Sequence, residues 1–219
     1  MSYGTNAPQG FQSYGTQTAA SFTGQTTQYA IKDKTASSIF TGDPVVVTDG
    51  YLAPLTKGLT TLAAMPVGIF LGCEWESPDP NIWGLAKSPY WPANTALKNE
   101  AIPGMGWVIV DPNATWNIQV STSADATADT ATVKAEQIGQ YANWAIASGG
   151  NKFTPPNPGK GNTSTGQSGV YLDASTINGT PVGLPLVILG LTPMPGNVPG
   201  KPFNNVIVGW NPKIVKPSA

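Results

Sequence analysis

Glu74 and Glu76 stand two positions apart in an apolar, strand-like stretch of the sequence. Side chains two apart on a strand point to the same face, about 6.5–7 Å from each other by the strand rise. That spacing is close to the separation of the two carboxyl groups in inverting glycosidases. Trp75, Trp83 and Trp91 lie nearby, and indole rings stack on sugars. This pattern is the sequence's best candidate for a lectin-like or glycosidase site. The interpretation that we favour is solvated acids at a strand end, with tryptophans that fill space beneath loops.

Three aspartates offer the sequence's other candidate ligands for a cation. Asp111, Asp125 and Asp129 are acids of the type that calcium prefers, and Thr and Asn oxygens surround them. However, they lack the Asp-x-Asp-x-Asp-Gly spacing and the closing acid of a calcium loop. We therefore predict no metal site.

Residue types that are missing exclude several kinds of catalysis. The chain has no His, and all 11 of its basic residues are Lys. Histidine bases, histidine metal ligands and arginine clamps on phosphate or carboxylate are thus excluded. The single Cys73 lies in an apolar stretch, which predicts a buried and unreactive thiol. Gly104-Met105-Gly106 does not continue into a phosphate-binding loop. The chain is therefore predicted not to be an enzyme and to need no cofactor.

Charge and hydropathy exclude two classes of partner. The formal net charge is −1, only 11% of residues are charged, and no basic run occurs. A nucleic-acid groove would need such a run. The longest apolar stretch, residues 182–191, is short and contains Pro185, whereas a membrane helix needs about 20 apolar residues. The first 30 residues show no secretory signal, so we expect synthesis in a cytoplasm.

The composition predicts an all-β fold. Gly 25, Pro 21 and only four Glu disfavour long helices. Short apolar runs separated by turn residues predict a small β-barrel or sandwich with long Pro/Gly-rich loops. Asp49-Gly50 predicts a type I′ hairpin turn. The stretches predicted as strands include residues 28–32, 45–47, 51–52, 67–75, 107–110, 116–120, 170–172, 186–189 and 206–210. Residues 124–135 are the one weak helix candidate.

The chain divides into an N-terminal arm and one barrel-like domain. Residues 1–27 are uncharged and of low complexity, yet they carry the spaced aromatics Phe11, Tyr14 and Phe22. Such a segment cannot order itself, so it is either a flexible terminus or an extended arm that orders on a neighbour. Residues 28–219 form the predicted domain, with long loops at 77–104 and 122–169.

Several motifs resemble the head decoration (cement) proteins of tailed bacteriophages. The main one is the Thr-Gly-Asp-Pro-Val-Val-Val-Thr-Asp-Gly run at 41–50, followed by Pro-Val-Gly-Ile-Phe-Leu-Gly at 66–72. The later similar pieces are residues 111–119, 166–173, 184–186 and 206–211.

This resemblance implies a structural virion protein on the outer capsid surface. Members of that family are commonly trimers at three-fold positions, and their arms and loops clamp neighbouring major capsid subunits. The resemblance thus implies a homo-oligomer whose partner is the major capsid protein. We expect Phe11, Tyr14, Phe22, Trp83 and Trp91 to make the contacts. The alternatives are another virion component, such as a head-fibre, neck or tail protein, and a carbohydrate-binding adhesive module.

Overall fold

The computed structural model describes residues 9–17, 25–55, 66–82, 84–122, 132–146, 161–181 and 183–212. Strands dominate these ranges, and the all-β prediction is confirmed. The weak helix candidate at 124–135 lies mostly outside the described residues. A short 3-10 turn, Ala135–Gln137, begins where that candidate ends.

The strands alternate with loops along the whole chain. The first eight are β1 Gln12–Thr16, β2 Thr26–Ile31, β3 Ile39–Phe40, β4 Pro44–Thr48, β5 Tyr51–Pro54, β6 Gly68–Glu76, β7 Leu85–Ser88 and β8 Tyr90–Trp91. The others are β9 Gly104–Ile109, β10 Ala114–Ser121, β11 Tyr141–Ile146, β12 Gly161–Asn162, β13 Gln167–Ser168, β14 Val170–Asn178, β15 Leu186–Leu191 and β16 Asn205–Trp210.

Five strands form what we call the closed barrel, in the order β10-β14-β11-β15-β16. The barrel closes because β16 pairs back onto β10. The β10–β14 pair is parallel and the other pairs are antiparallel. Trp116, Ile118 and Val120 alternate along β10 and point into the core. The predicted period-2 strand is thus confirmed.

Five more strands form what we call the curled sheet, in the order β2-β9-β6-β4-β5, with β7 added to β6. The sheet curls so that β2 approaches β5. Its concave side holds a second core that includes Phe70, Cys73 and Trp91. Ile69 and Ile109 point the other way and join the core of the closed barrel. The region expected to form one barrel-like domain, 28–219, therefore contains two large sheets, each with its own core. The pairs β3-β8 and β12-β13 form two further two-stranded sheets in the described residues.

The predicted hairpin at Asp49-Gly50 is present between β4 and β5. Both residues have positive φ, 52° and 84°. Two successive residues of this kind make a type I′ turn, whose twist suits the flanking strands.

A buried carboxylate joins the two sheets. Asp43, 1% exposed, lies in the turn between β3 and β4 of the curled-sheet side. It accepts hydrogen bonds from the Phe40 amide at 2.8 Å and from the Ser168 hydroxyl at 2.5 Å. Ser168 ends β13, two positions before the first residue of β14 of the closed barrel, and its Oγ also accepts the Val170 amide at 3.0 Å. One carboxylate thus ties the turn to the barrel wall.

Two glycines allow the backbones at this junction to approach closely. The Phe11 amide donates to the Gly42 carbonyl at 3.0 Å, and the Gly10 amide donates to the Val170 carbonyl at 3.2 Å. Gly10 and Gly42 both have positive φ. A Cβ at Gly10 would lie 2.6 Å from the Ser168 Cβ and 2.8 Å from the Gly42 carbonyl oxygen. Side chains are therefore not tolerated here without a shift of the backbone.

The N-terminal arm is docked on the closed barrel. β1 pairs antiparallel with the first half of β10. Phe11, which precedes β1, is 3% exposed and lies among the rings of Trp116, Trp144 and Trp210, with centroids 6.2, 5.9 and 6.0 Å away. Phe11 is therefore part of the core of the barrel and anchors the arm to its own chain.

Cys73 lies inside the curled sheet, as the sequence predicted. It is 3% exposed. Burial raises the pKa of its thiol to about 12. Since the thiolate is the reactive form, the folded protein keeps this group inert at neutral pH.

Replacing Asp43 with Asn tests the junction. The amide nitrogen of Asn would face one of two hydrogen-bond donors, so we expect a loss of about 1–3 kcal/mol in the free energy of unfolding. Asp49→Asn is the matched control, because Asp49 is exposed in a turn that accepts Asn. Urea denaturation followed by tryptophan fluorescence measures both. Equal midpoints for the two variants would contradict the role of Asp43.

Replacing Phe11 with Ala tests the docking of the arm. The change removes a ring from among three indoles, so we expect destabilisation of about 3–5 kcal/mol. Tyr14→Ala, at an exposed position of β1, should change stability by less than about 0.5 kcal/mol. Thermal and urea unfolding measure both variants. If Phe11→Ala behaves like Tyr14→Ala, Phe11 is not in the core.

Chemical labelling of the Cys73 thiol tests whether the curled sheet stays closed in the native protein. We expect no reaction of the native protein with a thiol reagent at pH 8, and full reaction in urea. The folded pKa lies above that of the unfolded chain, so the stability that this thiol contributes is lost as the pH rises from about 9 to about 12. Cys73→Ala should therefore lose less stability over that interval than the parent does. Native labelling at the rate of a free thiol would refute the burial.

Candidate interaction surfaces

The structure separates the five residues predicted to contact a partner. Tyr14 is 47% exposed and remains available. Phe11 and Trp91 are buried in the two cores, which corrects their interpretation as free anchors. Phe22 and Trp83 lie outside the described residues. Of the five, Tyr14 is therefore the one that the structure shows at the surface.

Trp91 fills the interior of the curled sheet. Its ring meets that of Trp75 edge to face, with centroids 5.3 Å apart. The space above Gly104 is taken by the same ring, because a Cβ there would lie 2.4 Å from it. Trp91 thus supports the loop that carries it, and no face of its indole is open to a sugar.

Glu74 and Glu76 do not share a site with Trp75 and Trp91. The two glutamates are on the outer side of β6, while Trp75 points into the core. The Lys98 Nζ lies 2.6 Å from the Glu76 Oε1, and the Lys87 Nζ lies 3.5 Å from the Glu74 Oε2. The constellation expected from the sequence is therefore split between two faces of the strand.

The candidate calcium ligands are not assembled in the described structure. Asp111 caps its own turn by accepting the Asn113 amide at 2.8 Å. Asp125 and Asp129 lie outside the described residues. Within the described ranges, His, Cys, Asp and Glu side chains form no group of three that would hold a metal ion.

A cluster of charged side chains around Asp33 and Lys34 connects two loops by hydrogen bonds and ion pairs. Asp33 accepts the Leu97 amide at 2.7 Å, and this bond lowers the pKa of its carboxyl group. Lys34 lies 2.6 Å from Glu100 and 3.2 Å from Asp33, and these two bonds raise the pKa of its ammonium group. These groups connect the β2–β3 loop to residues 97–100, so their role is structural.

Exposed apolar side chains gather on adjoining segments of the closed barrel. The Gly139 amide bonds to the Ile188 carbonyl, and the Gly200 amide bonds to the Val133 carbonyl, both at 2.8 Å. The stretch 132–140 therefore lies beside β15 and the loop after it. The exposed side chains of these segments, which we call the loop surface, are Ile138, Leu189, Met194 and Val198.

A second group of exposed apolar residues lies near the end of β6. Glu76 pairs with Leu85 on β7, and its carbonyl accepts the Lys98 amide at 3.1 Å. Leu85 is 55% exposed, and Ile82 and Ile102 on the flanking loops are also exposed. The long 77–104 loop expected from the sequence thus contains two short strands and an apolar rim.

Trp107 is the surface residue that the sequence reasoning missed. The run at 107–110 predicted a strand with buried side chains, and Val108 and Ile109 are indeed buried. Trp107 is instead 38% exposed on the outer side of β9. The available signal was alternation, because Gly104, Gly106 and Val108 face the crowded interior and leave Met105 and Trp107 outside.

Comparisons of the chain with models of protein families, with curated proteins and with solved structures gave no match. In the described part of the chain, helices long and apolar enough to cross a membrane are absent. The interpretation of this molecule therefore depends on its own surfaces: an apolar loop surface on the closed barrel, an apolar rim beyond β6, and an exposed indole on the curled sheet.

Proposed function

We propose that this chain is a structural virion protein that binds the outer surface of a tailed-phage capsid and clamps neighbouring major capsid subunits. The observation that carries the proposal is the presence of exposed apolar side chains on adjoining segments of the closed barrel. Single exposed apolar residues need no explanation, but groups of them typify interaction sites. The sequence resemblance to decoration proteins supplies the identity of the partner.

The scarcity of charge supports a role in a permanent assembly. The formal net charge is −1, and the lysine of each ion pair among the described residues is exposed. An interface made from apolar and neutral polar groups depends little on ionic strength, because few charges are screened by salt. Such an interface suits a shell that must hold together under changing ionic conditions.

The scaffold suits a clamp because its parts are fixed to each other. The Asp43–Ser168 hydrogen bond and the bond from the Phe11 amide to the Gly42 carbonyl connect the two sides of the molecule, so a load applied to one sheet passes to the other. A clamp across a seam adds buried area on both sides of it, and interfaces of about 1,600 Å² in total are stable. A trimer would present three copies of the loop surface around one axis.

Quantitative mass spectrometry of purified particles from the source of this chain tests the proposal. We expect a number of copies comparable to that of the major capsid subunit, because a protein that covers seams must be abundant. A few copies per particle would instead indicate a head-fibre, neck or tail protein. Absence from the particles would overturn the virion assignment.

Rebinding to particles that lack this protein locates the contact. The double variant Ile138→Ser, Leu189→Ser removes apolar area from the loop surface and should reduce occupancy, because both side chains are exposed and the fold does not need them. The matched control is Val47→Ser, Tyr51→Ser on the β4–β5 hairpin, with similar exposure. Equal occupancy for both variants would exclude the loop surface as the contact.

A further inference from the structure

Trp107 lies on an outer face of the curled sheet that has a defined set of polar neighbours. On β2, Gln28 is directly opposite Trp107, and on β6, Glu74 is diagonal to it beside Met105. Lys87 on β7 is opposite Glu74. Directly opposed side chains lie about 5 Å apart and diagonal ones about 7–8 Å apart. We call Gln28, Glu74, Lys87 and Trp107 the Trp107 face.

The indole of Trp107 differs from the other tryptophans of the described residues. Trp91, Trp116, Trp144 and Trp210 are buried, and Trp75 packs against Trp91. Their rings stabilise the two cores. Trp107 contributes to neither core, and its 38% exposure leaves a large apolar surface in water. An exposed indole bordered by polar groups is typical of a binding site.

The polar groups beside Trp107 are held only loosely. The Gln28 Nε2 is 3.5 Å from the Glu74 Oε1, and the Lys87 Nζ is 3.5 Å from the Glu74 Oε2. These distances are at the outer limit of hydrogen bonding. By contrast, the Nζ of Lys98, on the loop after β8, lies 2.6 Å from the Oε1 of Glu76 at the end of β6. The Gln28 side chain is exposed, and the Lys87 and Glu74 side chains are 75% and 16% exposed. The amide, the ammonium and the exposed edge of the carboxylate can therefore exchange these long contacts for bonds to hydroxyl groups of a ligand.

The charges of this face select the class of ligand. Glu74 and Lys87 carry one charge of each sign, so the face has no net charge to attract an ion. A phosphate chain would meet the Glu74 carboxylate beside the indole, which disfavours nucleic acid. An apolar protein surface would remove water from Glu74 and Lys87 without replacing their hydrogen bonds. A ligand that suits the face must offer an apolar side to the indole and hydroxyl groups to its neighbours.

We propose that the Trp107 face binds a neutral oligosaccharide. A pyranose ring presents C–H groups on its flat side and hydroxyl groups at its rim. The flat side would pack on the Trp107 indole, and rim hydroxyls would donate to Glu74 and accept from Gln28 and Lys87. This site uses neither Trp91 nor the Glu76 carboxylate, and it is independent of the proposed capsid role, since it lies on the curled sheet.

Calorimetric titration of the full chain tests the proposal with the neutral hexasaccharides of glucose, N-acetylglucosamine, mannose and galactose, and with polygalacturonate as the anionic comparison. We expect at least one neutral member to bind. Trp107→Ala should weaken that binding by about tenfold, as expected for loss of an aromatic contact. Glu74→Gln should also weaken it, because the amide replaces an acceptor with a donor.

Controls separate this site from general effects on the fold. Tyr51→Ala removes an aromatic ring of similar exposure from the hairpin and should leave binding unchanged. Trp107→Phe keeps an aromatic ring on the strand and should bind with intermediate affinity. Saccharide should shift the tryptophan emission of the parent to shorter wavelength but not that of Trp107→Phe. Binding to no neutral member, binding to polygalacturonate alone, or full binding by Trp107→Ala would each overturn the proposal.

Discussion

The buried carboxylate of Asp43 is the interaction on which the arrangement of the two sheets depends. A charge in such a place is tolerated only when donors surround it. Here the donors come from both sides: the Phe40 amide from its own turn, and the hydroxyl of Ser168, which is bonded to the first residue of β14 in the closed barrel. Moving one sheet relative to the other would leave a buried group without its partner. The junction is therefore specific in geometry as well as stable.

The same junction holds the N-terminal arm on the closed barrel. The Phe11 amide bonds to Gly42 next to Asp43, and its ring then enters the aromatic core of the closed barrel. The arm expected to search for a neighbour is thus fixed on its own barrel between residues 9 and 17. The exposed side chains that can contact other molecules include Tyr14, the loop surface and the Trp107 face.

Local sequence predicted the strands well but not the faces on which their side chains lie. Alternation at Trp116, Ile118 and Val120 and the Asp49-Gly50 pair gave a correct strand and a correct turn, because both signals are contained in a few consecutive residues. Trp91, expected at a contact surface, is buried, and Trp107, expected in a buried strand, is 38% exposed. Their orientation is set by cross-strand partners that are distant in sequence, Ile39 for Trp91, and Gln28 and Gly72 for Trp107. A run of apolar residues does not encode those pairings. The division into two cores was missed for the same reason.

The two halves of the molecule offer surfaces with different chemistry. The loop surface of the closed barrel is apolar, so its binding energy comes from area removed from water and favours a large protein partner. The Trp107 face combines one indole with hydrogen-bonding groups, so it favours a small ligand with directed contacts. Because the Asp43 junction fixes one sheet against the other, a partner held by the closed barrel would present the curled sheet in a defined orientation. The two proposed functions, binding to a protein shell and recognition of a saccharide, thus fall on different sheets of one chain.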